Sequence, residues 1–167
     1  MNQPRVRSRR VLAIDPGFDR MGIAVLEGNA SKPVLVWSTT VEPTKGKKEA
    51  RLGEVFTAVA KAIQKHKPDA FALETLFFSV NKKTALGVAE ARGAVLAAAG
   101  VALVPVREYS PQQVKLAVTG YGASDKAAVA RMIPKLLSLP AKKSRLDDEL
   151  DAIAVGIAAL SDRYPQN

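Results

Sequence analysis

The stretch "VLAIDPGFDRMGIAVLEG", residues 11–28, decides how the chain is read. The apolar residues Val11 to Ile14 run straight into an acid, Asp15. The chain then turns at Pro16-Gly17 and enters a second apolar run, Gly22 to Leu26. Two short apolar runs separated by turn residues predict two adjacent strands. A strand that ends on a carboxylate sets a charge at the rim of a sheet, beside the core. The segment "AFALE", residues 70–74, repeats the pattern and ends on Glu74.

Working outward, "PVLVWSTTV" at 33–41 predicts a third strand, so that 11–15, 22–28 and 33–41 form an antiparallel meander. Residues 47–66 predict a helix with Leu52, Val55, Phe56, Val59, Ala60 and Ile63 on one face, ended by Pro68-Asp69. The fourth strand, 70–74, leads to a helix over 80–99 closed by Gly100. "VALVPV", 101–106, is expected as the fifth strand. Helices are expected at 111–118, at 125–138 with a kink at Pro134, and at 146–162; Pro111 after Ser110 suits a helix start. A mixed sheet with helices on its faces is the packing solution for this order.

The chain of 167 residues is long enough for one domain with a real core, 47% of it being hydrophobic. The division expected is a basic arm at 1–10, one domain at 11–162 and a short tail at 163–167. Lys and Arg total 25 against 16 acids, a net charge of +9, which favours a polyanionic partner and nucleic acid before membrane. The absence of cysteine excludes disulfides and thiolate metal sites and fits a cytoplasmic location. The one histidine, His66, excludes multi-histidine metal sites and is expected at a solvated helix end. The apolar stretch Gly93 to Val106 is too short to span a membrane.

The acids carry the chemistry. If the strands that end on Asp15 and Glu74 are parallel neighbours, the two carboxylates lie side by side and shift each other's pKa. In "SRLDDELDAIAVGIAAL", residues 144–160, Asp148 and Asp151 are three apart and share one face of an otherwise apolar helix. Ser144 and Asp147 have capping-box spacing, which accounts for Asp147 without catalysis; Glu149 is expected in solvent. Taken singly, each acid has an ordinary explanation: a turn cap, a lysine partner, a helix dipole. Together, in a basic protein, Asp15, Glu74, Asp148 and Asp151 suggest a site for hard divalent cations. Two such ions about 4 Å apart can clamp the attacking and leaving oxygens of a phosphodiester, so no histidine base is required.

"IDPGFDRMGIAVL", "ALETLFFSVNKKTALGVAEARGAVLAAAG", "YSPQQVKLAVTGYGASDKAAV" and "LDDELDAIAVGIA" occur in that order over roughly residues 10–162. The chain resembles the RuvC family of Holliday-junction resolvases. The resemblance implies an α/β, RNase H-like fold: a five-stranded mixed sheet flanked by helices. It implies a homodimer that nicks opposing strands of four-way DNA with Mg²⁺ or Mn²⁺, two ions per site, alongside a junction-migration helicase of RuvA and RuvB type. By motif position Asp15, Glu74, Asp148 and Asp151 match the family's catalytic acids, with Asp148 preferred to Asp147. Lys115 and Lys126 match its basic residues for DNA binding and catalysis, and Phe77 matches an aromatic that stacks on bases. Lys82, Lys83 and Arg92 are further candidate phosphate contacts.

Phe18-Asp19 departs from the small or basic residues usual after "DPG" in that family. Ala85, Ala89, Gly93 and Ala97 form a small-residue ridge that could serve packing within the chain or a dimer contact. Two other functions are open to these residues: an RNA nuclease of the YqgF type and a junction-binding module without catalysis. The Phe77, Lys115 and Lys126 segments argue against the first, and the complete acid set argues against the second. An actin-like ATPase needs two such halves, and the chain is too short for them.

Overall fold

A computed structural model describes residues 8–75, 82–141 and 144–162. Its strands are β1 (Arg9–Asp15), β2 (Met21–Asn29), β3 (Lys32–Val41), β4 (Ala70–Glu74) and β5 (Val106–Tyr109). Its helices are α1 (Lys48–His66), α2 (Lys82–Val101), α3 (Pro111–Thr119), α4 (Lys126–Leu136) and α5 (Asp147–Ser161). The strands make one sheet in the order β3-β2-β1-β4-β5. The meander β1-β2-β3 is antiparallel, whereas β4 and β5 run parallel to β1.

Side-chain alternation divides the core between the two faces. Leu12, Ile14, Ile23, Val25, Phe71 and Leu73 pack against α1 and α2. Val11, Ala13, Ala24, Leu26 and Ala72 face α3, α4 and α5. This second face carries the smaller residues, and α5 lies close upon it. A Cβ at Gly22 would collide with the backbone carbonyl of Asp148, and one at Gly156 would collide with the Leu26 side chain. α5 is buried on all sides from Ala152 to Leu160, as an apolar helix at the centre of a core must be.

Four expectations need correction. Arg9 and Arg10, expected in the basic arm, are the first residues of β1. Arg9 donates to the Ala159 carbonyl at 2.8 Å, and Arg10 pairs with Glu27 at 2.7 Å. The helix expected to stop at Gly100 runs on to Val101, and the fifth strand is 106–109 rather than 101–106. The run 101–104 instead turns off the helix: Leu103 takes a left-handed φ of 55°, and Val104 N–H donates to the Ala99 carbonyl at 3.1 Å. Pro105 then begins the pairing by accepting from Phe71 N–H at 2.8 Å. His66 does stand in the last turn of α1, but its ring is buried and stacks on Trp37 with centroids 5.1 Å apart. Finally, α5 begins at Asp147 behind Leu146 with no side-chain cap, so the Ser144–Asp147 capping box does not form.

Other local signals hold. Ser110 and Gln113 close a capping box at the start of α3, with Pro111 at its first position. Asp125 caps α4 by accepting from Ala128 N–H at 2.6 Å.

Candidate active site

Three elements bring the acids together. β1 and β4 are parallel neighbours with Ile14 opposite Leu73, so the next residues, Asp15 and Glu74, end adjacent strands at one rim. Asp15 is also the cross-strand partner of Gly22, the residue against which Asp148 rests. The close seat of α5 on Gly22 thus carries its first turn, with Asp148 and Asp151, to the strand ends.

The electrostatics follow from this placement. Burial first, then the charges of Asp151, Glu74 and Asp148, push the Asp15 pKa well above the ordinary carboxylate value, with Lys126 opposing. Burial and Asp151 raise Glu74, against the opposing pull of Lys115 and Lys126. Burial also raises Asp151, although its hydrogen bond to Lys126 works the other way. The Lys126 Nζ lies 2.8 Å from Asp151 Oδ2 and 3.7 Å from Asp147 Oδ2. Burial disfavours that ammonium, but its hydrogen bond to Asp151 and the surrounding carboxylates outweigh burial and raise its pKa. Lys126 is the first residue of α4, where the helix dipole disfavours a cation; the acids opposite offset this.

These are all-oxygen donors, as a hard cation requires. Asp148 Oδ2 is buried without a hydrogen-bond donor, and Asp15 has like charges on several sides. The residues therefore fit a divalent cation. Among the described residues no three acids stand close enough together to form a finished metal site. Lys126 and Arg20 instead pair with Asp151 and Asp148.

The proposed DNA contacts lie in different settings. Lys115 on α3 acts electrostatically on Glu74, and Lys126 touches the acids directly. Arg92 is engaged within the protein: Nη1 donates to the Glu74 carbonyl at 2.6 Å and Nη2 meets Glu108 at 2.6 Å. It thereby ties the end of β4 to β5. Phe77 lies outside the described residues, as do the side chains of Lys82 and Lys83.

Two residues of the site were not anticipated. Glu149, expected in solvent, is 1% exposed; it accepts from Ser38 Oγ at 2.6 Å and lies 3.4 Å from Arg145 Nε. It pins the first turn of α5 to β3. The direction of a helix face depends on where the helix starts and what it packs on, and the sequence fixes neither. Arg20, whose Nε lies 3.1 Å from Asp148 Oδ2, had no sequence signal beyond its nearness to Asp15.

A family model described as crossover junction endodeoxyribonuclease RuvC matches residues 11–159. The chain belongs to the RuvC family. The RuvC of Syntrophomonas wolfei is 39% identical over 152 residues, covering 90% of this chain and 88% of that protein. The RuvC of Desulforamulus reducens is 42% identical over 149 residues, covering 88% and 90%. The solved Thermus thermophilus RuvC in complex with a Holliday junction substrate has a TM-score of 0.83 at 34% identity, with 90% of this chain and 92% of that chain covered. The yeast mitochondrial resolvase Ydc2, at 12% identity and a TM-score of 0.70, shares the fold. The five-stranded mixed sheet is RNase H-like, as the resemblance to RuvC implied.

Proposed function

We propose that this chain is a metal-dependent endonuclease that resolves four-way DNA junctions by paired nicks. The observation that carries the reading is the meeting of Asp15, Glu74, Asp148 and Asp151, from β1, β4 and α5, beside Lys126. The chain's RuvC membership and its +9 charge agree with a junction substrate.

The four acids would hold Mg²⁺ or Mn²⁺, two ions per site. Such ions, when bound, lower the pKa of water and offset charge at the scissile phosphate. The protein's own groups supply position and field. The sheet rim fixes Asp15 and Glu74, the Gly22 contact fixes Asp148 and Asp151, and Arg92 holds the Glu74 backbone. Lys126 and Lys115 add positive charge where a phosphate would approach. The enzyme would act in the cytoplasm with a junction-migration helicase of RuvA and RuvB type. No helix among the described residues is long and apolar enough to cross a membrane.

A second copy would supply the opposing nick, since a two-fold dimer matches a junction's pseudo-symmetry. α2 offers an apolar face for it: Leu86, Gly93, Ala97 and Val101 are exposed, and a Cβ at Gly93 would meet nothing within 4 Å.

The test is cleavage of a synthetic four-way junction with Mg²⁺ and with Mn²⁺, with structured RNA as a parallel substrate. Paired junction nicks are expected from the native chain, and binding without cleavage from Asp15→Asn. Normal cutting by that variant would overturn the site, and preferential RNA cleavage would overturn the substrate. Sedimentation of the same preparations reads the pairing.

A further inference from the structure

The turn between β1 and β2 is tied to two helices. The Phe18 ring packs on α2 at Gly87, where a Cβ would stand 3.0 Å from Phe18 Cγ. Arg51 of α1 covers the same ring, with Cζ 4.1 Å from its centroid. Arg51 Nη2 also donates to the Phe18 carbonyl at 3.1 Å and to Asp19 Oδ1 at 2.7 Å. Phe18-Asp19, the departure noted in the sequence, is therefore an anchor for the turn. A Cβ at Gly17 would strike the Arg20 carbonyl, so the turn is also tight.

The anchored turn presents Arg20. Its side chain is 49% exposed, and its Nε stands 3.1 Å from the Oδ2 of Asp148. The approach is bent, so Oδ2 is left buried with no hydrogen-bond donor. Asp148 is thus neutralised by a partner that does not satisfy it. The contrast is Lys126, which hydrogen-bonds to Asp151 at 2.8 Å.

We infer that Arg20 is a resident counter-cation on Asp148 that a divalent ion must displace, so that Arg20 sets the affinity of the site for metal. The inference rests on the proposed metal site. A solvent-screened, partly exposed ion pair of this kind is weak, so the guanidinium leaves the carboxylate at low cost. While it stays, it limits repulsion among the acids. Phe18, Asp19 and Arg51 act as positioning residues, because they keep the guanidinium at the mouth of the site instead of free in solvent.

The experiment is calorimetric titration of the metal-free full chain with Mn²⁺ alone, for the native protein, Arg20→Gln and Arg20→Lys. Thermal melts check that each variant is folded. Arg20→Gln should bind Mn²⁺ about three- to fivefold tighter, the range expected from removing a competing exposed ion pair. Arg20→Lys, which retains the charge, should stay close to native. Native binding that Arg20→Gln leaves unchanged or weakens overturns the inference and leaves the metal site standing. No Mn²⁺ binding by the native chain overturns both.

Discussion

Gly22→Ala tests how the active site is assembled. The added Cβ would overlap the Asp148 carbonyl and come 3.1 Å from the Ala152 Cβ. Ordinary van der Waals separation requires the start of α5 to withdraw from β2 on the order of 1 to 2 Å. Nothing nearby yields easily: the obstacle is backbone, and Glu149 ties the same turn to Ser38. Overpacking of this kind costs about 1–3 kcal/mol. The larger effect is catalytic, because Asp148 and Asp151 move with the helix while Asp15 and Glu74 stay on the sheet. A displacement of about 1 Å at a reacting centre can cost about 100-fold in rate. Urea unfolding reads the first effect, and single-turnover junction cleavage reads the second. Gly53→Ala is the control: Gly53 is exposed on α1 with nothing within 4 Å of a Cβ, and the change should stabilise by up to about 1 kcal/mol. If Gly22→Ala cleaved junctions at the native rate with native stability, the seating of α5 on β2 could not be what gathers the acids.

Two further expectations concern stability. Asp15, Glu74 and Asp151 all have raised pKa values, so the metal-free folded state binds more protons than the unfolded chain above about pH 4. Its stability should therefore fall as pH rises through the folded-state values, and Asp15→Asn should melt higher than the native chain at pH 7, by a smaller margin at pH 5; thermal melts in chelator read this, and a lower melting temperature for the variant at pH 7 would refute it. Glu149→Ala leaves Arg145, itself 11% exposed, without its buried carboxylate partner and should lower stability by about 3–5 kcal/mol in urea unfolding, with a loss below 1 kcal/mol counting against a structural pair.

The sequence alone determined a good deal. Apolar runs ending on Asp15 and Glu74 located two strands and their rim, because a short unbroken apolar run and its terminating charge are local properties. The i, i+3 spacing put Asp148 and Asp151 on one helical face, and Ser110-Pro111 marked a helix start. The tertiary structure alone decided where those faces point. Val101 to Val104 have strand-like composition, yet α2 continues into them and the chain turns, since pairing with β4 starts only at Pro105. Glu149 reads as a solvent residue until β3 places Ser38 over it. The Phe18–Arg51 anchor and the Arg20–Asp148 pair join residues 33 and 128 positions apart, respectively. Such contacts depend on how closely helices approach the sheet, and that distance is set by small residues such as Gly22 and Gly156 only after the layers have packed.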